Sequence, residues 1–198
     1  MAVADILLGS ASVWRAPVGE AEPDETSIAF GAAWGGNWVD MGYTTAPISL
    51  SRNVEEFELE VEQITNPVKR IITKEDVMVE TTLAEQTAAN MGLVLNGTST
   101  TVAAGASQRG YEQVVSGGQS ALSQYTMGFE GLYQDASNNK FPVRVVLYIV
   151  TVTLNGQLQF SKRAAAGVPA QFKSLADTAK AAGQQILKWQ KVTAEATS

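Results

Sequence analysis

An alternating run between Val54 and Leu83 constrains this chain more than any other feature. Phe57, Leu59 and Val61 interleave with Glu58, Glu60 and Glu62, the period-2 pattern of a strand with one apolar and one solvated face. Glu56 shares the acidic phase, so Glu56, Glu58, Glu60 and Glu62 are expected on one side of one strand. Asn66-Pro67 then breaks the run, because proline cannot donate to a ladder and restricts the residue before it. An extended pattern resumes from Val68 to Thr73, and a further strand sets Val77, Val79, Thr81 and Leu83 against Met78, Glu80 and Thr82. At Ala84 the period changes. Leu83, Thr87, Met91 and Leu95 recur at helical spacing, and Asn96-Gly97 is a fitting stop. The stretch predicts a long hairpin over about 52–74 and a helix over about 84–96.

The rest of the chain reads as β-structure joined by small-residue loops. Phe141 to Leu154 is β-branched throughout and nearly continuously apolar, which predicts a central strand covered on both faces. Asn155-Gly156 after it predicts a tight turn, with Leu158 to Arg163 returning. Strands are also expected between Asp5 and Val18, near Tyr111 to Val115, from Tyr125 to Tyr133 and around Val168 to Asp177. Ala29 to Trp38 places two tryptophans among small residues, as a bulged strand or a loop anchored by its rings. Residues 178–198 are expected to be a flexible C-terminal segment, partly helical or extended around Ile186, Leu187 and Trp189. The predicted fold is mainly β: one domain over 1–198, an antiparallel β-sandwich or flattened barrel with a single packed helix.

Several kinds of chemistry are set aside by composition. With no cysteine and no histidine, the chain has no disulfides, thiol nucleophiles, Cys/His zinc sites or Ser-His-Asp triads. A net charge of −6 argues against binding nucleic acid by phosphate neutralisation. The chain has no run of about 18 apolar residues that would predict a membrane span, and the start MAVADILLGSAS lacks the positive region of a signal peptide. No cofactor or metal is expected, although sites built from carboxylates alone stay open. Glu80 with Glu85, or Asp40 with Glu130, offers the carboxylate pair an acid–base enzyme needs. Any acidic β-protein offers such pairs, so an enzyme is not expected.

The run NPVKRIITKEDVMVETTLAEQTAANMGLVLNG closely resembles the major tail tube proteins of long-tailed, non-contractile bacteriophages. The pattern of Trp38, Gly42-Tyr43-Thr44-Thr45 and Ile48-Ser49-Leu50-Ser51 before the acidic strand resembles the same family. The resemblance implies a virion protein that stacks as hexameric rings into a hollow tube, through which DNA is ejected into the host. It implies as partners other copies of the chain, a tape-measure protein inside the tube, and tail-tip and tail-terminator proteins at its ends. DNA would pass without specific binding. Assembly would take place in the bacterial cytoplasm, with no membrane partner.

In that setting the residues acquire candidate roles. Glu56, Glu58, Glu60 and Glu62 are, on pattern alone, a solvated outer face; in a tube they would be an acidic lumen wall or a ring-to-ring contact. The tip Gln63, Ile64, Thr65, Asn66 and Pro67, with Lys69 and Arg70 beyond, would reach a neighbouring subunit. Trp14, Trp34, Trp38 and Trp189, mostly in Gly/Ala-rich or terminal segments, would anchor one subunit on the next. Two other readings stay open. One is the inner tube of a contractile tail or a related secretion machine. The other is a monomeric carbohydrate-binding sandwich whose aromatics form a sugar platform.

Overall fold

The fold is built around one long strand, Lys140–Leu154 (β8), as its β-branched run predicts. In a computed structural model of the chain, residues 11–134, 138–159 and 166–194 are described. In chain order the other elements are β1 (Ser12–Ala16), β2 (Val39–Asp40), β3 (Ser49–Val61), β4 (Ile64–Leu83), α1 (Ala88–Val94), β5 (Thr98–Val102), β6 (Tyr111–Val115), β7 (Gln124–Gln134), β9 (Val168–Leu175) and β10 (Leu187–Lys191). Eight strands form one antiparallel sheet in the order β2-β1-β7-β8-β9-β4-β3, with β10 also on β8, while β5 and β6 form a separate ribbon. The architecture is thus antiparallel and sandwich-like, with one short helix.

β8 pairs along one edge with β7; on its other edge β9 takes residues 149–154 and β10 takes residues 143–147. Both run antiparallel to β8, so β9 and β10 are one strand interrupted by the excursion 176–186. The Asp177 N–H closes that excursion on the Gln185 carbonyl at 2.8 Å. Within the segment expected to be a flexible tail, Leu187–Lys191 is therefore a strand of the sheet. The core gathers Val13, Val77, Met127, Leu147, Val150 and Phe172, with Phe129 and Phe172 edge to face at 5.7 Å.

The helix spans Ala88 to Val94, not 84–96. Thr87 is its cap, accepting the Asn90 N–H. Ala84 is held by its N–H on the Tyr43 carbonyl and cannot join the helix. The buried face is Ala88, Asn90, Leu93 and Val94 rather than the expected stripe, because Leu83 belongs to β4. Asn96 takes a left-handed φ of 50° and ends the helix where Asn-Gly predicts.

Asn155-Gly156 is not a tight hairpin. Residues 155–159 are not strand, 160–165 lie outside the described residues, and the returning strand is β9. The ribbon strand β5 is an addition to the sequence reading.

A loop over 17–38 covers the outer face of the sheet. Asp24 accepts hydrogen bonds from the Thr26 and Ser27 side chains and the Thr26 N–H, which hold its carboxyl at about 2. Glu22 clasps the C-terminal strand, accepting from Lys188 at 2.7 Å and Lys180 at 3.3 Å. Burial pushes the Glu22 carboxyl up, but the two lysine hydrogen bonds outweigh it and leave the group below its ordinary 4.5. The same hydrogen bond raises Lys188 above its ordinary 10.5, against desolvation. A lowered acid contributes stability above its unfolded value and loses it as pH falls; a raised base contributes below its unfolded value and loses it as pH rises. The clasp is expected at full strength between about pH 4.5 and 10.5. Hydrogen exchange of β10 amides, normalised to β8, is expected to quicken at pH 3, and Glu22→Gln is expected to show the same quickening at pH 7. Equal β10 protection in all three cases would show that the clasp does not hold the strand.

Candidate assembly interface

β3 and β4 form an arm. β9 pairs with β4 only from Met78 to Leu83, so beyond Val77 the two strands pair, among the described residues, only with each other. The Ser174 hydroxyl marks the fork: it accepts the Val77 N–H at 3.2 Å and donates to the Val77 carbonyl at 2.8 Å, replacing the sheet ladder. From Arg52 to Val61 the arm extends roughly 30 Å at about 3.3 Å per residue.

The alternation that predicts a half-buried strand gives none here. Phe57 is 55% exposed and Ile64 54%, with Leu59, Val61 and Ile71 also open. Register puts Phe57 opposite Ile71, Leu59 opposite Lys69 and Val61 opposite Ile64, so these side chains share one face. The opposite face holds Glu56 and Glu58 around Arg70, whose Nε lies 4.0 and 2.8 Å from their carboxylates.

Three expectations about the arm change. The turn is Glu62-Gln63, not the segment around Asn66-Pro67, because Val61 already pairs with Ile64. Pro67 sits inside β4, where a bulge sets residues 65–68 opposite Glu60 alone and needs no proline N–H. The acidic file is also not four like charges in a row. Glu56 and Glu58 are bridged by Arg70, Glu60 faces the bulge and Glu62 lies in the turn. Lys74 joins Asp76 at 2.6 Å and Glu55 at 3.5 Å, and Arg52 joins Glu75 at 2.6 Å. Residues 54–76 still carry seven carboxylates against three cations, a net of −4.

Three of the four candidate aromatic anchors are core. Trp14, Trp34 and Trp38 are buried together on the outer face of the sheet, with Trp14 stacked on Trp34 at 5.3 Å. Gly128 makes room for them, since a Cβ there would lie 2.1 Å from the Trp34 ring. The Trp38 indole donates to the Ala21 carbonyl at 2.8 Å, so the rings pin the chain's own loop. Trp189 differs: it is 58% exposed.

Sequence reasoning missed the buried ion cluster beneath that loop. Glu130 and Arg144 lie opposite each other on β7 and β8, 0% and 1% exposed at their side chains. Arg144 donates to Glu130 at 2.8–2.9 Å, to the Glu25 carboxylate and to the Ile28 carbonyl at 2.8 Å. The second Glu130 oxygen accepts the Gly31 N–H at 2.9 Å. Both oxygens are engaged, so the nominated Asp40–Glu130 pair has no free acid in Glu130. Glu80 accepts from Gln171 at 2.7 Å. Among the described residues no group of three or more acidic side chains is placed to hold a metal ion. No helix among the described residues is long and apolar enough to cross a membrane.

An arm left exposed on both faces by the described residues, projecting from the sheet, is a surface made for another molecule. Against family models, the chain matches phage tail tube protein over residues 4–197. The chain belongs to the phage tail tube proteins. No curated protein matches it by sequence. A tail tube protein is a structural component of the virion and assembles with itself and with other tail proteins. The exposed arm fits that work better than any cleft on the molecule.

Proposed function

We propose that this tail tube protein stacks as hexameric rings into the hollow tube of a long, non-contractile tail, and that the tube conducts DNA during ejection. The observation that carries the reading is the β3–β4 arm, whose apolar file has no partner among the described residues. A head-to-tail contact that closes gives a ring, and an arm reaching along the axis joins rings. The role is structural, without catalysis: the wall presents charge of the same sign as DNA, consistent with a chain of net −6. Glu60 and Glu62, the arm carboxylates with no ion pair among the described residues, are the lumen or ring-contact candidates. The partners at the tube's interior and ends are a tape-measure protein, tail-tip proteins and a terminator, with assembly in the host cytoplasm.

Negative-stain electron microscopy of the concentrated protein, with light scattering, is the deciding experiment. Six-fold rings or hollow tubes are expected. A particle of 21.0 kDa at every concentration, with tail-tip complexes added as seeds, would overturn the reading.

A further inference from the structure

On the inner face of the sheet, at the end not covered by α1, lies an open apolar groove of about 260 Å³. Leu50, Val79, Phe129, Val143, Val145 and Trp189 line it. Trp189 lies opposite Val145 in the β10–β8 register, so its ring stands on the face that carries Val145. Leu50, at the arm's base, is also half exposed. Nothing in the described residues fills this space.

We propose that the groove beside Trp189 receives the arm of a second copy, which lays Phe57, Leu59 and Ile71 against Trp189 and Leu50. This rests on the self-assembly reading above and names the receiving surface. Apolar character matches on both sides. No charge opposes the contact: the arm has a net of −4, and no carboxylate lines the groove. A chain cannot fill its own groove with this file. Leu50 lies at the base, Leu59 is nine residues further out on the same strand, roughly 30 Å away at about 3.3 Å per residue, and the arm runs outward. The contact is therefore heterologous, each copy giving an arm and receiving one, and it propagates.

The absence of cysteine makes the test clean. In Leu50→Cys/Leu59→Cys the two thiols of one copy are too far apart to bridge, so every disulfide joins two copies. Oxidised at assembling concentration, the double variant is expected to give a ladder of covalent oligomers on a non-reducing gel, and each single variant no species beyond a dimer. Acrylamide quenching of Trp189, the one strongly exposed tryptophan, is expected to fall on assembly of the unmodified chain. Trp189→Ala is expected to raise the assembling concentration at least about tenfold. Tubes without a ladder and with Trp189 still quenched would overturn the groove while leaving the tube reading intact. A monomer throughout would overturn both. A disulfide within one copy of Ile6→Cys/Leu50→Cys, with no intermolecular ladder in the first variant, would give the groove to the chain's own N-terminal segment and overturn the proposal.

Discussion

Replacing Arg144 by methionine is expected to destabilise the chain by about 3–5 kcal/mol, the usual penalty for removing one partner of a buried ion pair. For a chain of 198 residues that lowers the melting temperature by roughly 6–20 °C. The size follows from what is stranded. Glu130 has no exposed surface and loses its cation, Glu25 loses its own, and the Ile28 carbonyl loses a donor. The Arg144 guanidinium also lies over the Trp34 ring at 5.5 Å, so the loop over 17–38 loses an anchor. The damage should therefore begin in that loop, and tryptophan emission should shift to the red at a lower temperature than the loss of β circular dichroism. Arg144→Met/Glu130→Leu is expected to recover part of the loss, because an apolar pair in place of a buried ion pair is often neutral. If Arg144→Met melts within 1 °C of the parent, the cluster is not holding the loop.

The ion cluster also shows where sequence reasoning stopped short. Arg144 stands alone in a β-branched run, and Glu130 stands alone in the alternating strand beside it. Two lone charges of opposite sign on adjacent strands are a readable signal for a buried pair. Their meaning needed the register, which depends on a connection over 135–139 that the sequence marks only as a turn. The central strand β8, the ribbon strand β6 and the Asn96-Gly97 stop were legible because local pattern decides them.

The arm was legible as a hairpin and illegible as an arm. Alternation reports that one face avoids water, not which molecule covers it; Phe57, Leu59 and Val61 look like core in sequence and are bare in the single chain. Pro67 signalled a turn because the rule against ladder prolines has an exception at bulges, and a bulge cannot be read from one strand. The tryptophans of the glycine-rich loop looked like outward anchors because nothing local shows that Gly128, ninety-odd residues on, clears space for Trp34.

Phe57→Glu/Ile71→Glu is expected to abolish assembly and leave the fold intact. The two side chains lie opposite each other on the arm's apolar face, and neither belongs to a core cluster. The isolated chain therefore has little to lose: exposed substitutions away from special features stay within about 0.5 kcal/mol. An interface has much more to lose. Burying two large apolar side chains contributes on the order of 3–6 kcal/mol per contact, which is about 100- to 10,000-fold in the association constant. The variant also forces two carboxylates into an apolar site and makes an arm of net −4 more acidic still. Every copy contributes one arm, so the loss recurs at each contact along the tube. The expected result is a monomer with the parent's melting curve and no particle by light scattering or electron microscopy at tenfold the parent's assembling concentration. Phe57→Leu, which keeps an apolar side chain of nearly the same size, is expected to assemble. Tubes formed by the double-Glu variant at the parent's concentration would place the polymerising contact elsewhere, with the exposed β5–β6 ribbon and its Tyr111 and Val115 the next surface to test.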